Sequence, residues 1–248
     1  MIEVIKKDVK TLYKRWNIHQ RLQHICMFAS FTLCAMTGLP IKYHHHGWAS
    51  VVAKVFGGFD AMLTWHLVGA TFVFIASFYH LFWQGYCIIK GKAGWGIVPR
   101  GSTGRALVAH IKYSLGLSDE PARFDRYSYK EMFDYWAVFW GMFAIGFTGL
   151  LMWFPEWGNS FLPRWIVDCG RIGHSDEAIL AIFVIFVWHF YNVHFCPEFF
   201  PMSKVWYDGV MTEEIMAHEH PAELEEIKNA MRSQPVLEVT DSSKNVQG

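Results

Sequence analysis

Thirteen histidines among 248 residues is a high count, and several of them fall inside apolar runs. The segment from His174 to His194, HSDEAILAIFVIFVWHFYNVH, has an apolar interior from Ala178 to Val187 and histidines at both ends. On an ideal helix His189 lies about 60° round from His174 and about 22 Å further along. His66 and His80, 14 residues apart, repeat the pattern on a second apolar run, and His24 stands at the start of a third. Ionisable side chains inside a membrane are costly and by default functional. The chemistry that needs them at these depths is haem ligation. A low-spin b-type haem takes two neutral imidazoles from two helices, and two haems stacked across a bilayer sit about 20 Å apart, the reach of 14 or 15 helical residues. Gly69, Ala70, Ala76, Ser77, Ala178 and Ala181, near these histidines, leave room for a flat macrocycle.

The remaining histidines are weaker candidates. His194 lies about 140° round from His189 on an ideal helix, so it points elsewhere and raises the question of an additional haem. His19 falls outside the membrane. His44, His45 and His46 read as a solvated loop, and His110, His218 and His220 as residues of the soluble side with no partner visible in the sequence.

The elements that must position these residues are transmembrane helices. The chain is 52% apolar and 17% aromatic with only 18% charged residues, too apolar for an ordinary soluble domain. Helices are expected at about 22–41, 61–89, 134–155 and 175–197, each long enough for a hydrocarbon core of roughly 30 Å. The fold class expected is all-α, an integral membrane four-helix bundle with haem between helices. Around the core of residues 24–200 lie an N-terminal segment (1–23), a loop (90–133) with a short amphipathic helix around Leu107 to Leu115, and a polar tail (201–248). The tail is expected to hold a short amphipathic helix and a disordered end from about Ser233. Eighteen Lys and Arg fall on the side of the termini and the 90–133 loop and four on the other, so both termini are expected in the cytoplasm. No cleaved signal peptide is expected; the first span serves as the insertion signal. The five cysteines are isolated, so neither c-type haem attachment nor a thiolate metal site has support.

Arg21-Leu22-Gln23-His24, followed by Thr37-Gly38-Leu39, resembles the opening of the formate dehydrogenase gamma, nickel-iron hydrogenase and thiosulfate reductase cytochrome b family. His66, His174 and His189 match its other ligand positions, and the resemblance covers about residues 12–200. It implies an outer haem between His66 and His174 and an inner haem between His24 and His189. His80 and His194 depart from the formate dehydrogenase type. Tyr79 to Phe82 and Trp188 to His194 look instead like the cytochrome b/b6-like branch. The departure leaves a second inner pairing open, His80 with His189, with His24 then free to join His194 on a third haem. Two haem b groups are expected, with three as the alternative.

The resemblance implies a bacterial or archaeal cytoplasmic-membrane subunit that exchanges electrons with menaquinone or ubiquinone near one haem. At the other haem it implies a partner subunit carrying iron-sulfur clusters or multiple c-type haems. Lipid is the remaining partner, and no nucleic acid is expected. No phosphate-binding loop, dinucleotide fingerprint or zinc-protease motif occurs. Asn17, Arg15 and Asn192 are candidates for quinone contact; Arg126 and Asp134 are expected either to pair structurally or to dock a partner. Two other classes remain: a haem-free membrane anchor, which needs no depth-matched histidines, and a histidine-lined metal-ion transporter, which predicts carboxylates or cysteines beside the buried histidines, where the sequence shows none.

Overall fold

The computed structural model describes residues 4–7, 10–92 and 94–233. Four helices are long and apolar enough to cross a membrane: α1 (Ile18–Lys42), α3 (Phe59–Ile89), α5 (Tyr129–Trp153) and α7 (Arg164–Phe195). The protein is an all-α four-helix membrane bundle. Its apolar side chains face outward, as lipid requires: Phe28, Phe72, Phe82, Trp140, Phe183 and Phe186 are all more than half exposed. Much of what the helices bury against one another is small or hydroxylic, including Ser30, Thr37, Gly69, Ala76, Gly141 and Gly146, with Met62 and Leu151 as the large exceptions towards the helix ends. Close backbone approach replaces the hydrophobic effect as the source of helix association in lipid. At Gly69 the approach is tight enough that a Cβ would stand 2.8 Å from Cys34 Sγ.

Contact is concentrated in two antiparallel hairpins, α1 with α3 and α5 with α7. The hairpins touch each other only lightly, α1 against α7 and α3 against α5. At the outer end Lys42 Nζ donates to Ser175 Oγ and Asp176 Oδ1, each at 2.7 Å, tying α1 to α7 beside His174. Two short helices flank this end, α2 (Gly47–Val55) and α6 (Pro155–Phe161). Each shows exposed Trp, Phe or Val, the composition of a membrane interface. The segment expected as a loop after Lys42 therefore folds into a helix. The fourth span begins at Arg164, well before residue 175, because its first turns are amphipathic and lie outside any apolar window. His174 is thus ten residues inside its helix.

The terminal segments, read from sequence as separate, build one cap. Strands β1 (Val4–Lys7), β2 (Lys10–Lys14) and β3 (Val210–Thr212) form an antiparallel sheet with Tyr13 opposite Met211. Helices α9 (Glu213–Glu219) and α10 (Pro221–Ser233) close over it, burying Tyr13, Met211, Met216, Leu224 and Ile227. Residues beyond Ser233 lie outside the described residues. The loop after α3 contains α4 (Gly101–Ser114), which starts earlier than the amphipathic stretch implied.

A charged knot joins cap to bundle. Glu223, 5% exposed, pairs with both Arg15 and Arg126. Each of these arginines also donates to the other's backbone carbonyl, at 2.7 and 2.6 Å. His220 donates from Nδ1 to Asp125 O (2.7 Å) and accepts at Nε2 from Arg15 (3.2 Å), so it is held neutral. Glu131 lies 3.8 Å from both Arg15 and His220 and completes the capping box of α5 with Ser128. The knot therefore fixes where α5 begins. Arg126 pairs with Glu223 and not with Asp134, so of the two alternatives read from the sequence the structural pair does not form; the partner comes from 97 residues away and no local spacing signals it.

Two outcomes follow from the knot. Glu223→Ala leaves the buried Arg15 guanidinium with only the more distant Glu131, at 3.8 Å, and takes the carboxylate from the half-buried Arg126; it is expected to destabilise the cap by about 3 kcal/mol, and faster proteolysis within residues 205–233 would register it. Burial pushes His220 below its ordinary value of 6.5, against an opposing pull from Glu131. The unfolded cap then binds a proton that the native cap refuses, so stability is full above that value and falls as the pH drops below it. Protease resistance measured against pH is expected to fall below about pH 6.5, and the fall should flatten in His220→Gln.

Candidate haem-binding sites

At the outer level His66 on α3 faces His174 on α7, ring centroids 6.3 Å apart and planes at 73°. Each imidazole is anchored by the first helix of its own hairpin. His66 Nδ1 lies 3.0 Å from Thr37 Oγ1, whose hydroxyl already donates to Leu33 O at 2.7 Å. The threonine must therefore accept, and His66 carries its proton on Nδ1. His174 Nδ1 donates to Ile145 O (3.0 Å) and lies 3.4 Å from Thr148 Oγ1, itself donating to Ala144 O at 2.6 Å. A glycine follows each threonine. A Cβ on Gly38 would sit 3.1 Å from His66 Cε1, and one on Gly149 would sit 3.1 Å from His174 Cε1. The two hairpins thus hold their histidines by the same Thr-Gly device.

At the inner level His24 on α1 faces His189 on α7, again with centroids 6.3 Å apart, planes at 37°. His189 Nδ1 donates to Asp134 Oδ2 at 3.0 Å, inside α5. His24 Nδ1 is buried without a hydrogen-bond partner. Thirteen residues of continuous helix separate His24 from Thr37, so the two levels stand about 20 Å apart.

The residues fit haem. A metal-bound imidazole nitrogen sits about 2.0–2.1 Å from the ion and about 1.1 Å from its own ring centre, so two imidazoles on opposite faces of one iron have centroids roughly 6 Å apart. Both cross-hairpin pairs meet that separation. Nε2 of His66, His174 and His189 has no hydrogen-bond partner among the described residues, and each Nδ1–H is held by an oxygen, which fixes the ligand-competent tautomer. Both pairs bridge the sparse seam between hairpins, where a flat group has room.

His80 and His194 are placed differently from the expectation. His80 Nδ1 lies 2.9 Å from Gln23 Oε1 and its Nε2 3.2 Å from the Tyr135 hydroxyl, so both nitrogens are engaged. The ring neighbours of His189 are His24, Phe190 and His194, not His80. His194 does not point away from His189: the rings are 6.3 Å apart. The cause is a change of helix type. α7 passes into π-helical turns at Val184–His189 and Tyr191–Phe195, which bring residues five apart onto one side. Two imidazoles from one helical turn still cannot flank a porphyrin, because the macrocycle would have to pass through their own backbone.

The three residues named for quinone contact have structural tasks. Arg15 is buried in the cap knot, Asn17 caps α1 through Gln20, and Asn192 Nδ2 donates to Trp188 O at 2.8 Å. His19 is hydrogen-bonded to the Tyr79 hydroxyl at 2.7 Å and stacked on Trp83. Asp134 corrects the statement that no carboxylate stands beside a buried histidine; it lies 55 residues from His189 in sequence. Sequence reasoning also passed over Thr148 and Gly149. The repeat of Thr-Gly-Leu at 37–39 and 148–150, each 13 residues after a polar ring (His24, Tyr135), was the available signal. Among the described residues no group of three or more His, Cys, Asp or Glu converges to hold a bare metal ion.

Among curated proteins none matches the chain with significance. The family described as prokaryotic cytochrome b561 matches residues 15–200, which contain all four spans and both histidine pairs. A b-type haem and electron transfer within the membrane come with that family. The chain belongs to the prokaryotic cytochrome b561 family.

Proposed function

We propose that the protein is the membrane-embedded electron-transfer subunit of a respiratory oxidoreductase complex. It holds two b-type haems, an outer one between His66 and His174 and an inner one between His24 and His189. The observation that carries this reading is the pair of cross-hairpin imidazole couples, both at 6.3 Å, at two levels about 20 Å apart along the bundle. Haem supplies reversible one-electron chemistry; the chain supplies ligands, depth and a low-dielectric surround. Thr37, Ile145 and Thr148 orient the outer ligands with neutral acceptors, and Asp134 orients His189 with a carboxylate. A third haem would need further free ring nitrogens on facing helices, and those of His80 are taken.

The charge asymmetry of the loops supports a cytoplasmic position for the cap and α4, in a bacterial or archaeal cell. Electrons pass between a menaquinone or ubiquinone pool at one haem and an iron-sulfur or multihaem c-type subunit at the other. The same depth-matched imidazoles argue against a haem-free anchor.

The purified protein is expected to show a b-type α band in its reduced-minus-oxidised spectrum and two haems per chain by pyridine haemochrome; no band overturns the reading. His174→Ala should lose only the outer haem and His189→Ala only the inner. If both variants keep two haems per chain, the ligands are wrong. Asp134→Asn withdraws charge from the His189 imidazole, making it a poorer donor to ferric iron. A redox titration should find the inner midpoint potential raised and the outer one unchanged.

A further inference from the structure

Beyond residue 200, where the family match ends, the chain returns to the inner end of α1. The short helix α8 (Val205–Asp208) packs against α1, and Gly209 follows it. Gly209 O accepts from the backbone N–H of Arg15 and of Trp16, at 2.8 and 3.1 Å. Gly209 adopts φ +79, and a Cβ there would stand 2.5 Å from Trp16 O and 3.1 Å from Arg21 Cδ. Only glycine lets the strap lie this close. Trp16 in turn has its ring 5.2 Å from that of His24. The strap therefore rests directly on the residues that border the inner site.

Two donors in this contact lack acceptors. Arg21 Nε and Trp206 Nε1 are both buried with no hydrogen-bond partner, and among the described residues no carboxylate is paired with Arg21. Arg21 precedes His24 by three residues, about one helical turn, on a neighbouring face. Arg21 is half-buried, but its Nε–H, like the indole N–H of Trp206, is shut off from solvent without a partner, and each such donor is costly. An acidic ligand group at the inner rim would satisfy them together. Haem carries two carboxylates at one edge of its ring, and the haem reading above, on which this inference rests, puts that ring against His24.

We propose that Arg21 and Trp206 take a carboxylate of the inner haem, so that the segment Val205–Gly209 is a haem-closing strap added to the family's four-helix core. The strap gives the cytoplasmic cap a direct hand in the inner haem's potential: Arg21 compensates the carboxylate charge and favours the reduced iron, whereas the outer haem lies about 20 Å away and is indifferent to it.

The test uses the full-length protein and Arg21→Gln, Arg21→Lys and Trp206→Phe. Haem content is counted by pyridine haemochrome, potentials by redox titration, and carboxylate bending modes by resonance Raman, with the inner haem identified by its loss in His189→Ala. Expected are a lowered inner potential and shifted carboxylate modes in Arg21→Gln and Trp206→Phe, an unchanged outer haem, and recovery of most of the shift in Arg21→Lys. Loss of the inner haem alone from Arg21→Gln also supports the assignment, because a retained outer haem reports an intact bundle. Wild-type inner potential and carboxylate modes in Arg21→Gln and Trp206→Phe, with two haems per chain, overturn it. Absence of haem from the unsubstituted protein is a failure of the haem reading instead.

Discussion

An imidazole inside a bilayer has two ring nitrogens and no water to satisfy either. The arrangement of the bundle follows from where those nitrogens find partners. In each hairpin one helix offers an oxygen to Nδ1 of a histidine on the other, and the opposite nitrogen is left facing the seam. At the outer level His66 meets a threonine hydroxyl whose own proton is spent on a carbonyl one turn back, and His174 meets the Ile145 carbonyl beside such a threonine, so both oxygens serve only as acceptors. That single constraint sets the tautomer. It also requires the helices to approach closely, which is why glycine follows each threonine and why Gly69 lies against Cys34. Within a hairpin the contacts are therefore tight, and between hairpins they are sparse, because the seam is where the free nitrogens point.

The π-helical turns of α7 belong to the same logic. From His174 to Phe183 the helix is α, and it becomes π as it nears the inner level. The extra residue per turn alters the phase at which His189 and His194 arrive. An ideal wheel separates these two; the real helix sets them on one side, with His194 Nδ1 buried and unpartnered. π turns inside α-helices are frequent at functional sites, and this one sits where His189 meets both Asp134 on α5 and His24 on α1.

Much of the bundle was readable in the chain because its signals are local. Uncharged runs of twenty or more residues mark the spans, and the 14- and 15-residue intervals put histidines at two depths whatever the packing. The depths of His66 with His174, and of His24 with His189, needed nothing more. The failures have a different physical origin. The start of α7 at Arg164 was missed because a helix emerging from the membrane turns amphipathic and leaves the apolar window. The phase of His194 was misjudged because helix type is not written in spacing. Asp134, Glu223 and the strap over Trp16 escaped because they are pairings across 55, 208 and 193 residues, made by tertiary packing alone. The second Thr-Gly was visible as a short internal echo of the first, and its meaning depended on seeing both hairpins hold a histidine in the same way.

The two levels are not equivalent, and the difference lies in charge. The outer imidazoles rest on hydroxyl and carbonyl oxygens, which orient them without altering the charge of the site. The inner one rests on a carboxylate whose other oxygen is buried and unpaired. A carboxylate partner makes an imidazole the stronger donor to a metal. Asp134 also stands one turn after Glu131, which caps α5 and lies against Arg15 and His220 of the cap knot. Arg15 is itself adjacent to Trp16, on which the strap from the C-terminal segment rests. The position of α5, the carboxylate behind His189 and the cover over His24 are thus set by one set of contacts between the chain's two ends. At the outer site Lys42 links the hairpins through Asp176 and Ser175 near the surface. The inner level is consequently the one whose surroundings are tied, through α5 and Trp16, to the contacts of the cap.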